Sequence, residues 1–80
     1  MSARTLNRCK AGLAKRIAQV RGDRSQRAFA RELGVFQQNV NRYERGATPH
    51  PNFLLKLALQ EGISIDWLLL GVGNMKRRGG

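Results

Sequence analysis

Residues 25–46, SQRAFARELGVFQQNVNRYERG, decide how this chain folds. Small Ala30 stands where two helices must approach closely, Gly34 stands at a sharp turn, and Phe29, Leu33, Val35, Val40 and Tyr43 recur at core-facing spacings. The periodicity predicts two short helices, one over residues 26–33 and one from about Phe36 or Gln37 to Glu44, joined at the glycine. Ser25 suits an N-cap because its hydroxyl can accept from a free backbone N–H in the next turn. Gly34 can take the positive φ that reverses the chain cheaply, and Gly46 closes the second helix. Gln37, Gln38, Asn41 and Arg42 then lie on the face that packing does not use. Amide and guanidinium groups are the side chains able to hydrogen-bond the edges of base pairs.

Outward from this stretch the pattern stays helical, and no segment reads as a strand. From about residue 5 to Arg21, Leu6, Leu13, Ile17 and Val20 recur at helical spacing with Ala14 and Ala18 between them, while Arg and Lys fill the other face. Gly22 and Asp23 end that helix. After the third helix, Thr48-Pro49-His50-Pro51 forms a stiff loop, since each proline fixes φ and disfavours helix in the residue before it. Asn52 is the expected cap of a fourth helix, Phe53 to about Glu61. Its Phe53, Leu54, Leu55, Leu57, Ala58 and Leu59 surround so much of the circumference that it is expected to be central and covered by the others. Gly62 is placed to end it. A fifth helix starts at Ser64, with Ile63 and Leu68 spaced as a hydrophobic staple and Asp66 complementing the dipole, and it stops at Gly71. The expected fold is all-α, a compact five-helix bundle. Residues 1–10 read as a basic arm or the start of the first helix, 11–71 as the domain, and 72–80 as a disordered tail, charged and glycine-ended after Asn74.

Composition narrows the function. Lys and Arg number 15 against 5 acidic residues, a formal charge of +10 on 80 residues, which draws the chain to polyanions. The longest apolar stretch, Trp67 to Leu70, is far below the roughly 20 residues that a bilayer demands, and no apolar signal segment opens the chain. A single cysteine, Cys9, cannot form an internal disulfide, which fits a reducing bacterial cytoplasm or nucleoid; it reads as a plain helix residue. His50 has no neighbouring Cys, His or carboxylate at ligand spacing, so neither a metal site nor a cofactor is expected. The scattered acids and the lack of a nucleophile–base pattern or phosphate-cradling loop argue against an enzyme. Tyr43 and Trp67 sit at core spacings and read as packing residues.

The paired helices, the Tyr43-Glu44-Arg45-Gly46 ending and the run Gly62-Ile63-Ser64-Ile65-Asp66-Trp67-Leu68-Leu69 together resemble the DNA-binding domain of the lambdoid phage repressor and Cro family, of XRE type. The likeness covers about residues 13–71 and is nearest to the phage 434 type of repressor, where the Gln37-Gln38 pair matches especially well. The resemblance implies a helix-turn-helix on helices 2 and 3, with helix 3 in the major groove of double-stranded operator DNA. It gives Gln37 and Gln38 the reading of bases, a glutamine amide matching adenine N6 and N7, with Asn41 and Arg42 as further base contacts. Gln26 would steady the protein on the DNA backbone, joined by Arg16, Arg27, Arg45 and Thr48. The family also pairs an arginine of helix 1 with the glutamate near the end of helix 3, which here would be Arg16 and Glu44.

Two positions depart from the family pattern. Phe36 replaces the Ser or Thr that usually caps helix 3, and losing a cap typically costs about 1 kcal/mol. Phe36 therefore either touches a thymine methyl or the sugar edge, or packs on Val35 or Tyr43. The loop after helix 3, Ala47 to Asn52, lacks the basic residues of close relatives, and the charge stands instead at Arg4, Arg8 and Lys10, which could act as a DNA-following arm or remain a solvated basic tail.

The resemblance implies a transcriptional regulator, a repressor that occupies a near-palindromic operator as a homodimer. The dimer surface would come from the loop after helix 3 and the region of helix 5, with Phe53, Trp67, Leu68, Leu69 and Leu70 as candidates. Alternatives are an antitoxin-type autorepressor with a protein partner, a protein-interaction module using the same fold, and a nonspecific nucleic-acid binder driven by charge alone. The 80 residues read either as a small Cro-like protein or as the DNA-binding portion of a larger repressor.

Overall fold

The structure, a computed structural model, describes residues 1–77. Its helices are α1 (Ala3–Arg21), α2 (Gln26–Leu33), α3 (Gln37–Glu44), α4 (Pro51–Gln60) and α5 (Ile65–Leu70). Every element sends apolar side chains to one cluster: Leu13, Ile17 and Val20 from α1, Phe29, Ala30 and Leu33 from α2, Val40 and Tyr43 from α3, Phe53 and Leu57 from α4, and Leu68 from α5 with Ile63 just before it. Each fully buried large side chain contributes about 1.5–3 kcal/mol relative to exposure, so this shared cluster holds the bundle together. Ile63 and Leu68 are both completely buried, and they flank the Ser64 cap, whose hydroxyl accepts from Trp67 N–H at 3.3 Å.

Three expectations change. Residues 3–10, open between an arm and the start of the first helix, are helical turns of α1, and Ser2 caps them by accepting from Thr5 N–H at 3.1 Å. Leu6 nevertheless stays 45 % exposed, because the first turns of α1 run past the packed body. The α4 cap is His50 and not Asn52, with Nδ1 accepting from Asn52 N–H at 3.0 Å and Pro51 opening the helix. Proline suits that position because its missing N–H would have had no helical partner.

The fourth helix is not central. Phe53, Leu57 and Ala58 turn inward while Leu55 and Leu59 on the opposite side are 54 % and 70 % exposed. A chain of this size has too few layers to cover both faces of one helix.

The third change concerns the segment after Gly71. Residues 72–77 are docked where disorder was expected: Ser64 N–H donates to Met75 C=O and Arg77 N–H to Gly62 C=O, each at 2.8 Å, so Ile63 and Lys76 pair antiparallel. Met75 packs against the core. The rest of the expected tail, 78–80, lies outside the described residues.

Two arginines tie the elements. Arg16 Nε donates to Leu68 C=O at 2.6 Å and Nη2 to Leu69 C=O at 3.2 Å, satisfying carbonyls that the end of α5 leaves open. Gly12 makes room for this, since a Cβ there would stand 2.7 Å from Arg16 Nη1. Arg24 reaches Glu32 and Glu61, both at 2.9 Å, and stacks 4.6 Å from the centre of the Phe29 ring. It also donates to Val20 C=O and Arg21 C=O at the end of α1.

Candidate nucleic-acid interface

The turn between α2 and α3 follows from its residues. Ser25 Oγ accepts from Ala28 N–H at 3.0 Å and starts α2. Gly34 takes φ 71°, ψ 37°, a left-handed conformation that a Cβ would strain. Val35 N–H returns to Ala30 C=O at 2.9 Å, and the buried Ala30, 2 % exposed, lets the backbones approach.

Val40 and Tyr43 anchor α3 from below. The Tyr43 ring meets Phe53 edge-on at 4.8 Å, and its hydroxyl accepts from His50 N–H at 3.3 Å, which fixes the loop after α3. With that side committed, Gln37, Gln38 and Arg42 are exposed and Asn41 half-exposed. These four line one open cleft together with Gln26 from the start of α2. A second shallow cleft beside it is lined by Phe36, Gln38, Asn39 and Arg42. The residues expected to read bases are therefore brought together on one surface.

Phe36 occupies the N-cap position of α3 and makes no side-chain cap hydrogen bond. It is 75 % exposed, so packing on Val35 or Tyr43 does not account for it.

Behind the cleft runs a chain of hydrogen bonds. Arg21 donates from Nε to Glu44 Oε2 at 2.7 Å and from Nη2 to Glu44 Oε1 at 3.0 Å. Gln26 Nε2 donates to Glu44 Oε1 at 3.1 Å, and Asn41 Nδ2 donates to Gln26 Oε1 at 3.2 Å. The hydrogen bonds to Glu44 hold the Arg21 guanidinium above its already high pKa, outweighing the opposing effect of desolvation. The ends of α1 and α3 and the start of α2 are thus linked, and the orientation of the Gln26 amide is set. Its carbonyl is occupied, and one N–H remains free to point outward.

The expected Arg16–Glu44 pair is corrected: Arg21 holds Glu44, and Arg16 is spent on the end of α5. Helical spacing allowed either arginine, since both lie on α1, and only the packing of α1 across α3 selects the one at its last turn. Arg16 is consequently not placed as a backbone contact. Arg27 and Arg45 are exposed, as is Thr48. Arg4, Arg8 and Lys10 are exposed on helical turns of α1. Arg24 was not singled out by sequence reasoning, and no local pattern signals it, because its partners Glu32 and Glu61 meet it only after folding.

Of the expected dimer residues, Phe53 and Leu68 are core, 3 % and 0 % exposed, and unavailable to a partner. Leu70 is 62 % exposed, and Trp67 and Leu69 are half-buried. Leu69 also lines an apolar groove with Leu6, Leu13, Pro49 and Leu54. Among the described residues no three His, Cys, Asp or Glu side chains gather to hold a metal ion, and no helix is long and apolar enough to cross a membrane.

Comparison with known proteins agrees with this geometry. The chain matches the family described as the bacteriophage CI repressor helix-turn-helix domain over residues 12–76. No solved structure matches it.

Proposed function

The chain belongs to the bacteriophage CI repressor helix-turn-helix family, and we propose that it is a sequence-specific repressor that binds a near-palindromic operator as a homodimer. Its membership makes it a DNA-binding regulator of transcription; the finer reading rests on the cleft. The observation that supports it best is the convergence of Gln37, Gln38 and Arg42 on one exposed surface with Gln26 at its edge.

In this reading α3 enters the major groove. Gln37 and Gln38 read bases in the manner of the 434 type, each good bidentate pair contributing about 1–3 kcal/mol of discrimination. Arg42, one turn further along, takes guanine O6 and N7 or a phosphate. Gln26 donates its outward N–H to a phosphate, while Asn41 steadies Gln26 and offers its own carbonyl to a base. Arg21 and Glu44 brace Gln26 from behind. Arg27, Arg45 and Thr48 supply backbone contacts, and Phe36 presents an apolar ring to a thymine methyl.

One α3 reads only a few base pairs, so useful specificity calls for two copies with half-sites about one helical turn apart. The apolar groove between α1, α4 and α5, with exposed Leu70 nearby in sequence, supports a dimer surface. Work on DNA fits a bacterial cytoplasm or nucleoid.

Selection from random duplex DNA at about physiological salt tests the reading, run in parallel with the Gln37→Ala, Gln38→Ala double variant. A palindromic motif that degenerates in the variant is the expected result. If the wild type enriches no motif, the specific repressor is ruled out.

A further inference from the structure

We propose that the outer face of α1 is a second DNA-binding surface, on which Arg4, Arg8 and Lys15 form a rigid ridge that holds duplex phosphates outside the half-site read by α3. The inference rests on the DNA-binding reading above but uses different residues.

Several cations are already committed within the fold. Arg21 and Arg24 are paired with carboxylates, Arg16 and Lys56 are donated to backbone carbonyls, and Lys76 reaches Glu61 C=O. Arg4, Arg8 and Lys15 make no hydrogen bond or ion pair among the described residues, and all three are exposed. At 3.6 residues per turn they lie within about 40° of one another around α1, on the side opposite Leu13, Ile17 and Val20, which are buried. Lys10 lies off this line and lines the apolar groove instead.

The helix carries no acid at any position from Ala3 to Arg21. Arg4 stands in the first turn, where the helix dipole disfavours a cation. Arg4 and Arg8 are one turn apart, where like charges repel. Among the described residues no acid offsets either effect, whereas a polyanion along this face would reverse both. The ridge is rigid because Ser2 caps the helix and one continuous helix connects Arg4 to the packed turns at Leu13 and Ile17. At 1.5 Å per residue it extends about 16 Å, and Arg4 lies about 25 Å along the axis from Arg21 behind the reading cleft. That separation puts the Arg4 end of the ridge beyond the few base pairs that α3 can touch, while Lys15, about 9 Å along the axis from Arg21, joins the ridge to the edge of that site. Arg4 and Arg8 also precede the family match, which begins at residue 12, while Lys15 lies inside it, so this surface extends beyond the matched domain.

The test is the salt dependence of binding. Binding of wild type and of the Arg4→Gln, Arg8→Gln, Lys15→Gln variant is measured on random-sequence duplexes of about four helical turns and about one turn, with thermal unfolding confirming an unchanged fold. Each phosphate contact contributes about −0.9 to the slope of log K against log salt, so the variant's slope on the long duplex should be shallower by about 2–3, with at least tenfold weaker binding at low salt. Equal slopes and affinities on the long duplex would overturn the ridge. A deficit confined to the long duplex assigns the phosphates to the flank of the same DNA. A deficit in capturing a second labelled duplex onto a preformed complex assigns them to another molecule. The double glutamine variant separates the two proposals: a slope change in the ridge variant without any selected motif retains the ridge and removes the operator reading, and a selected motif with equal slopes does the reverse.

Discussion

Arg21 and Glu44 form a two-pronged ion pair, 2.7 and 3.0 Å, that joins the last turn of α1 to the last turn of α3. Glu44 is only 10 % exposed at its side chain and also accepts from Gln26. The pair therefore both braces the bundle and sets the amide at the edge of the cleft. Arg21→Ala should leave the carboxylate poorly compensated and lower stability by about 1–2 kcal/mol, discounted because the pair is partly solvated. Urea unfolding measures this. In DNA binding the same variant should lose affinity more than Glu44→Gln does, since the latter keeps an acceptor for Gln26 and removes a charge that repels phosphate. Equal binding by wild type and Arg21→Ala would mean that Gln26 needs no brace.

Gly34 tests the turn in isolation. Its φ of 71° strains any L-residue, yet the nearest atom to an added Cβ is Lys56 Nζ at 3.7 Å, an ordinary contact. Gly34→Ala should therefore cost about 1–2 kcal/mol from backbone conformation alone. A much larger loss in denaturant unfolding would indicate a steric clash that this geometry lacks.

Phe36→Thr separates cap from contact. Threonine can accept from the free N–H groups at the start of α3 and should raise stability by about 1 kcal/mol. If the phenyl ring meets a thymine methyl, replacing that thymine by deoxyuridine in the selected site should weaken wild type and leave Phe36→Thr less affected. Identical sequence preference in the two proteins would rule out the contact.

Removing residues 72–80 should destabilise the fold. The deletion exposes core surface under Met75 and frees Ser64 N–H, now bonded to Met75 C=O at 2.8 Å. The expected loss is about 1–3 kcal/mol. Hydrogen exchange at the Ser64 amide provides a local readout, because it should quicken well beyond the global change.

Much of this protein was legible before folding because its signals are local. Ser25 and Ser64 as caps, Gly34 as the turn, and Val40 with Tyr43 against the exposed Gln37 and Gln38 all depend on spacing within one or two turns of helix. A periodic apolar stripe specifies which face goes in, and the opposite face then follows. The match of Ile63 with Leu68 across the Ser64 cap is of the same kind.

What local spacing left open was settled by contacts between residues far apart in the chain. Leu55 and Leu59 are as apolar as Leu57, but only the arrangement of neighbouring helices shows that nothing covers them. Arg16 and Arg21 both lie on α1, and the crossing of α1 over α3 gives Glu44 to the second while α5 takes the first. Met75, in a segment rich in glycine and charge, docks because Gly62 to Ser64 offer unpaired backbone groups beside a core position. The sequence by itself determined five helices and an exposed polar face on the third, since each arises from hydrogen bonds and burial patterns within a few residues. The tertiary structure alone decided which charges are paired and which remain free, because an ion pair depends on distance in space, and 23 residues of chain separate Arg21 from Glu44.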